Sequence, residues 1–253
     1  MRTFQLAGVE VPRIGLGTNR LTTASEHVAF VREAVAEGVR HIDTAHLYSG
    51  GDSERAIGEA LSGVREDVLV ATKGGYRPGE GQPEALNAQI EQSLRSLGTD
   101  VIGLYYLHRV DPETPLEESL SAIKEYADRG SIRNIGISEV GIEQIERARQ
   151  IVPIAAVQNR YSVSDRQHDE VVDYCEREGI PFVAYFPLRG QGGPGVAEAA
   201  ERLGVSGNAV KLAWLLQRSP VVLPIPGTLS IEHLRENLAA LELDLGDAAD
   251  IAA

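Results

Sequence analysis

An α/β fold, closed as a (β/α)8 TIM barrel behind a short N-terminal β-hairpin, is predicted by three observations. Short apolar runs alternate with segments of helical spacing eight times along the chain. The apolar runs are apolar throughout rather than every second residue, as in parallel strands covered on both faces. The chain has 253 residues, close to the ~250 of a typical barrel. No stretch rich in Pro, Ser or charge reads as a linker, so residues 1–253 are expected to form one domain.

The hairpin is read from FQLAGVEVP, which alternates and turns at Ala7-Gly8. The eight strands are then IGLG (14–17), HID (41–43), VLVAT (68–72), IGLYYLH (102–108), NIGIS (134–138), AAVQ (155–158), PFVAYF (181–186) and VVLPI (221–225). Helical spacing runs through HVAFVREAVAEG, which ends in a glycine cap, and SERAIGEAL, with Ser53 as its expected N-cap. PEALNAQIEQSLRSLG opens with Pro and closes with Gly. PLEESLSAIKEYADRG, GIEQIERARQI, DRQHDEVVDYCEREG, SGNAVKLAWLLQRS and SIEHLRENLAAL complete the set of eight. An open doubly wound sheet is the rival. Its glycine fingerprint fails here, because Gly15-Leu-Gly17-Thr-Asn-Arg lacks a third glycine. GGYRPGEG (74–81) lacks the Lys-Ser/Thr of a phosphate loop and reads as a flexible loop.

Composition narrows the function. A formal charge of −13 argues against nucleic acid, which needs a basic face. No apolar run approaches the ~18 residues of a membrane span, and the N-terminus lacks a signal-peptide pattern. Cys175 is the one cysteine, so an internal disulfide is excluded and a reducing cytoplasm fits. Cys175 and Trp214 sit in helical patterns and are expected to pack. His41 and His46 lack partners at ligand spacing, so no metal is expected. The Glu and Arg residues of ERARQ read as a solvated helix face. A monomer that binds a small molecule is expected.

In a barrel, chemistry gathers at the carboxyl ends of the strands. Those ends read Asp43, Lys73, His108, Ser138, Gln158 and Tyr185, and the last strand runs into Pro226-Gly227-Thr228. Lys73 follows an apolar run and needs a counterion, which Asp43 supplies from the next strand. Tyr48 stands five residues beyond Asp43. A phenol beside an ammonium is expected to have a lowered pKa and to serve as a general acid. His108 would orient a carbonyl at the same place. His46, Tyr76 and Arg109 are placed at the pocket mouth. In strand four, one of Tyr105 and Tyr106 should face the barrel interior and the other the helices.

DTAHLY (43–48), ATKGG (71–75), LYYLHRVD (104–111), GIS (136–138), VQNRYS (157–162), AYFPL (184–188) and PIPGTLSIEHLRENLAA (224–240) together resemble the aldo-keto reductases. The likeness runs in order from about residue 12 to 243, and is nearest to bacterial pyridoxal reductase-like members. It implies reduction of aldehydes or ketones by NADPH, with NADH the alternative. The resemblance puts the catalytic tetrad on Asp43, Tyr48, Lys73 and His108. It puts the nicotinamide carboxamide on Ser138 and Gln158, stacking on Tyr185 and the pyrophosphate near Leu188. The adenosine end falls on Gly227, Thr228, His233, Glu236 and Asn237.

Three departures from the family pattern stand out. Glu139 stands where an asparagine is common, and Phe186 where serine is frequent. The adenosine loop offers Thr228, Ser230, His233 and Arg235 rather than a lysine or arginine directly on it. The chain ends soon after its last helix, where relatives with bulky substrates carry a long loop. An open site of broad specificity is therefore expected, with pyridoxal one candidate substrate. Two further readings remain open: a Schiff-base lyase using Lys73, and a barrel that senses nucleotide without turnover.

Overall fold

The structure is a computed structural model that describes residues 3–63, 67–246 and 251. Strands β1 (Thr3–Leu6) and β2 (Val9–Pro12) form the antiparallel hairpin. Its turn residues Ala7 and Gly8 have φ of 52° and 79°. Two positive φ angles in a two-residue loop match the right-handed twist of the flanking strands.

Eight parallel strands follow in sequence order: β3 (Leu16–Gly17), β4 (His41–Asp43), β5 (Leu69–Gly74), β6 (Leu104–Leu107), β7 (Ile135–Ser138), β8 (Ile154–Arg160), β9 (Phe182–Tyr185) and β10 (Val222–Pro224). The first and last meet. Gly15 N donates to Pro224 O at 3.0 Å, Gly17 N donates to Pro226 O at 3.1 Å, and Gly17 bridges Gly227 in parallel. The sheet is thereby a closed barrel. A Cβ on Gly17 would lie 2.8 Å from the backbone oxygen of Ile225, so the seam requires glycine there.

The helices are α1 (Ser25–Ala36), α2 (Asp52–Ala60), α3 (Pro83–Leu97), α4 (Leu116–Asp128), α5 (Ile142–Arg149), α6 (Asp169–Glu178), α7 (Gly193–Leu203), α8 (Gly207–Arg218) and α9 (Ile231–Ala239). Eight were expected; α7 is additional, between β9 and α8. Its Gly-Gly-Pro-Gly start reads as loop, and it buries only Val196 and Ala199, too narrow a stripe for a periodic signal. Ser53 does not cap α2. The N-cap is Gly51, and the buried Ser53 hydroxyl instead joins Thr18 and Thr44 at 2.9 and 2.8 Å. That knot of hydroxyls ties α2 to the ends of β3 and β4.

Strand alternation sorts the apolar residues into two cores. Outward residues such as Ile42, Tyr105, Ile137 and Val157 pack under the helices. Inward residues, among them Leu69, Ala71, Leu104, Tyr106, Ala156, Val183 and Leu223, fill the barrel together with Leu6 and Val11 of the hairpin. The hairpin thus plugs the end where the strands begin. Tyr106 faces in and Tyr105 out, as alternation requires. Inward space for Tyr106 comes from Gly136, whose added Cβ would sit 2.4 Å from the ring.

Candidate active site

The inward alternation continues past the apolar layer to the other end of the barrel. Two residues beyond inward Ala71 comes Lys73; beyond Tyr106 comes His108; beyond Gly136, Ser138; beyond Ala156, Gln158; beyond Val183, Tyr185. In these five strands an inward residue of the barrel core is thus followed by a polar one nearer the carboxyl end, and the polar set faces one mouth.

Lys73 is fully buried, and its Nζ donates to Asp43 Oδ1 at 2.5 Å and to Thr44 O at 2.7 Å. The second oxygen of Asp43 accepts from Gln158 Nε2 at 2.7 Å. Tyr48 lies on the turn after β4, where Ser49, Gly50 and Gly51 all have positive φ and fold the chain back into α2. Its ring centroid is 5.1 Å from Lys73 Nζ and 6.1 Å from the His108 ring, in an edge-on arrangement. Asp43, Tyr48, Lys73 and His108 are thus brought together.

Electrostatics assign these groups their charge states. Burial alone would favour a neutral Lys73 amine; Asp43 and then Tyr48 outweigh it and hold the pKa above the ordinary lysine value. Tyr48 departs from expectation. Burial raises its pKa, and the opposing pull of Lys73 does not reverse the rise. The phenol keeps its proton. Burial, then the charges of Lys73 and Arg109, push His108 down to about 2, so its imidazole is neutral.

A cavity of about 660 Å³ opens beside this group. Asp43, Tyr48 and His108 line one part, with Ser138, Gln158 and Tyr185 adjoining; Leu188 and Gly227 lie further along. Lys73 sits behind, facing a smaller neighbouring cavity that also contains His46. His46 was expected at the main mouth; Tyr76 and Arg109 are the two of that trio found there. Thr228, His233, Glu236 and Asn237 lie beyond Gly227 and outside the cavity wall. Thr228 accepts from Ser230 N at 3.0 Å, and the Ser230 hydroxyl caps α9 by accepting from His233 N. Arg235 is held by Glu37 at 2.7 Å. The His233 side chain remains exposed.

The cavity wall also contains Thr18, Asn19, Arg20 and Arg189, which were not singled out from the sequence. Strand-end reasoning reaches only the last inward residue of a strand, and these stand on the loops beyond. Glu139 and Phe186, directly after Ser138 and Tyr185, have φ of 56° and 51°. Left-handed backbone at non-glycine residues is costly and collects at functional sites. Glu139 is steadied as a carboxylate acceptor for Arg160 N at 2.6 Å. The 74–81 segment, expected to be flexible, is tied down. Asp111 accepts from Gly79 N and Gly81 N, and Glu80 from Tyr76 N and Arg77 N.

The aldo/keto reductase family model matches residues 13–195 and 194–253. The chain belongs to the aldo/keto reductase family. It is 37% identical over 270 residues to pyridoxine 4-dehydrogenase of Escherichia coli, covering 97% of this chain and 94% of that protein. A thermostable aldo-keto reductase, Tm1743, solved with the inhibitor epalrestat, superposes with a TM-score of 0.90 at 34% identity, covering 99% of this chain and 97% of the other. An aldo-keto reductase from Klebsiella pneumoniae in complex with NADPH gives 0.88 at 29% identity, over 97% and 91%. The chain is accordingly an NAD(P)H-dependent oxidoreductase of this family.

The cavity suits such a cofactor. Gln158 has its amide nitrogen committed to Asp43, which aims the amide oxygen as an acceptor. Ser138 adds a hydroxyl, Tyr185 an open ring face, and the backbones of Leu188 and Gly227 continue the wall away from Tyr48. A flat amide-bearing ring with an anionic tail matches that sequence of groups. Trp214 and Cys175 are packed in the outer core, and burial raises the Cys175 thiol to about 12. Among the described residues, no helix is long and apolar enough to cross a membrane.

Proposed function

We propose that this chain reduces aldehydes and ketones to alcohols with NADPH, and that Tyr48 delivers the proton. The observation that carries the reading is the cluster of Asp43, Tyr48, Lys73 and His108 at the wall of a cavity that runs on past Ser138, Gln158 and Tyr185. NADPH, when bound along that wall, supplies the hydride. The protein's own part is to hold the carbonyl and protonate its oxygen. Tyr48 suits the task because burial keeps it a phenol, so it holds a proton to give. Lys73, charged and locked to Asp43, stabilises the phenolate left behind. His108 is neutral and donates a hydrogen bond that orients the carbonyl.

Ser138 and Gln158 hold the carboxamide in this proposal, Tyr185 stacks on the ring, and Leu188 lies by the pyrophosphate. Gly227, Thr228, His233, Glu236 and Asn237 form the adenosine end, where the exposed His233 meets the 2′-phosphate. Pyridoxal is one candidate substrate, suggested by the similarity to pyridoxine 4-dehydrogenase. The protein works as a cytoplasmic monomer. The lyase alternative is disfavoured because Asp43 holds Lys73 as an ammonium, whereas Schiff-base formation needs a free amine. The test is NADPH oxidation against a panel of aldehydes and ketones, with NADH in parallel. Tyr48→Phe should abolish turnover while leaving NADPH affinity near wild type; full activity in that variant would sink the assignment.

A further inference from the structure

Arg109 is a cation on the cavity wall. Among the described residues, no carboxylate comes within ion-pair distance of it, in a chain whose net charge is −13. Arg55, Arg147, Arg149, Arg160, Arg166 and Arg218 all pair with carboxylates. The acceptors that Arg109 meets are neutral: His108 O at 3.0 Å and Ser138 Oγ at 3.5 Å from Nη1, and the Tyr185 hydroxyl at 3.2 Å from Nη2. Its guanidinium lies 5.4 Å from the Tyr76 ring centroid and 5.9 Å from that of Tyr185. Asp43 is the one carboxylate lining the cavity among the described residues, and both its oxygens are taken by Lys73 and Gln158.

A purely structural role would look different. Arg13 is also without a carboxylate, but its Nη2 is spent on three backbone carbonyls inside a closed core. Arg109 is partly buried, opens on the cavity, and gives its donors to the Ser138 and Tyr185 hydroxyls, the second of which is also bonded to Glu139. A half-desolvated planar fork with free charge matches a carboxylate in two-point contact. Position fixes the geometry. Arg109 follows His108 in the chain, and Tyr76 spans the gap between them, its ring 4.8 Å from the His108 ring.

We infer that the site takes carbonyl substrates bearing a carboxylate about one aromatic ring's length from the reacting group, with Arg109 holding the carboxylate. The inference rests on the reductase reading only for where the carbonyl sits. Arg20, bonded to Gly227 O, and Arg189, next to Leu188, belong to the stretch assigned above to the cofactor tail.

The test compares 4-(hydroxymethyl)benzoate with its methyl ester, by calorimetric binding to protein loaded with NADPH, which alcohols do not consume. The acid should bind at least about ten-fold more tightly than the ester to the unaltered protein. In Arg109→Gln that ratio should collapse to about one. Arg109→Lys keeps charge without the fork and should give an intermediate ratio; it decides the matter if the glutamine variant does not fold. Equal affinities in the unaltered protein, or an acid preference unchanged in the variants, overturn the inference. Turnover of the two matching aldehydes is followed alongside. Failure of NADPH to reduce either one removes the reductase reading, while the binding ratio still judges Arg109.

Discussion

Lys73 Nζ and Asp43 Oδ1 lie 2.5 Å apart with essentially no solvent on either side chain. Such a pair is not there for net stability, since two charges leave water to form it. Removing one partner is a different matter. Asp43→Ala strands a buried ammonium and should cost about 3–5 kcal/mol in denaturant unfolding. Lys73→Met, with Asp43 still bonded to Gln158, should cost less stability but at least ~100-fold in kcat. A Lys73→Met enzyme of normal turnover would show that the pair serves packing alone.

Acid should destabilise the fold through its buried histidines. Burial lowers His41 to about 4 and His108 to about 2, against 6.5 for a free imidazole. A folded-state pKa below the unfolded one means the unfolded chain takes up protons first as pH falls. Stability is therefore complete above about pH 6.5 and declines on acidification, by roughly 2 kcal/mol per residue at pH 5. Urea midpoints from pH 7.5 to 5 check this. His41→Leu should flatten the decline; an unchanged slope would show that His41 does not contribute.

Tyr48 titration gives a direct reading of its environment. In cofactor-free protein, the absorbance difference between wild type and Tyr48→Phe should report a phenol that ionises above the ordinary value of 10. Ionisation near neutrality would show Lys73 winning over burial, contrary to the balance found here.

Gly58 lets α2 sit close against the end of α3. A Cβ there would lie 2.7 Å from Ser96 O and 2.8 Å from Leu97 O, both backbone. Alanine in a helix gains about 0.5–1 kcal/mol over glycine. Moving a packed helix costs about 1–3 kcal/mol, so Gly58→Ala should destabilise on balance. A raised thermal midpoint would contradict it.

Cofactor choice is tested at His233. His233→Ala should weaken NADPH binding about ten-fold and NADH little, if the side chain meets the 2′-phosphate. Equal effects on both would remove His233 from that role.

The fold was legible because each strand carries its own evidence, an apolar run followed by a helix, and six of the eight end in a polar or aromatic side chain. The convergence of Asp43, Lys73, His108, Ser138, Gln158 and Tyr185 follows from the two-residue alternation alone. What escaped reading depends on partners distant in sequence. Ser53 looked like a cap because its bonds to Thr18 and Thr44 come from other elements. The 74–81 segment looked slack because Asp111, which holds it, lies about thirty residues away. The Tyr48 shift was read with the wrong sign because proximity of Lys73 shows in the motif, while the depth of burial does not.

The seam between Gly17 and Gly227 has a consequence for how the molecule is made. It joins opposite ends of the chain, so no local contact can form it early, and loop-closure entropy delays it. On the ribosome, the strands ending in Asp43, Lys73 and His108 emerge long before their ring can shut. The wall from Tyr48 to Gly227 is complete only once Gly227 has joined Gly17, and a polypeptide stopped before Val222 would hold the acid–base residues without an enclosure to work in.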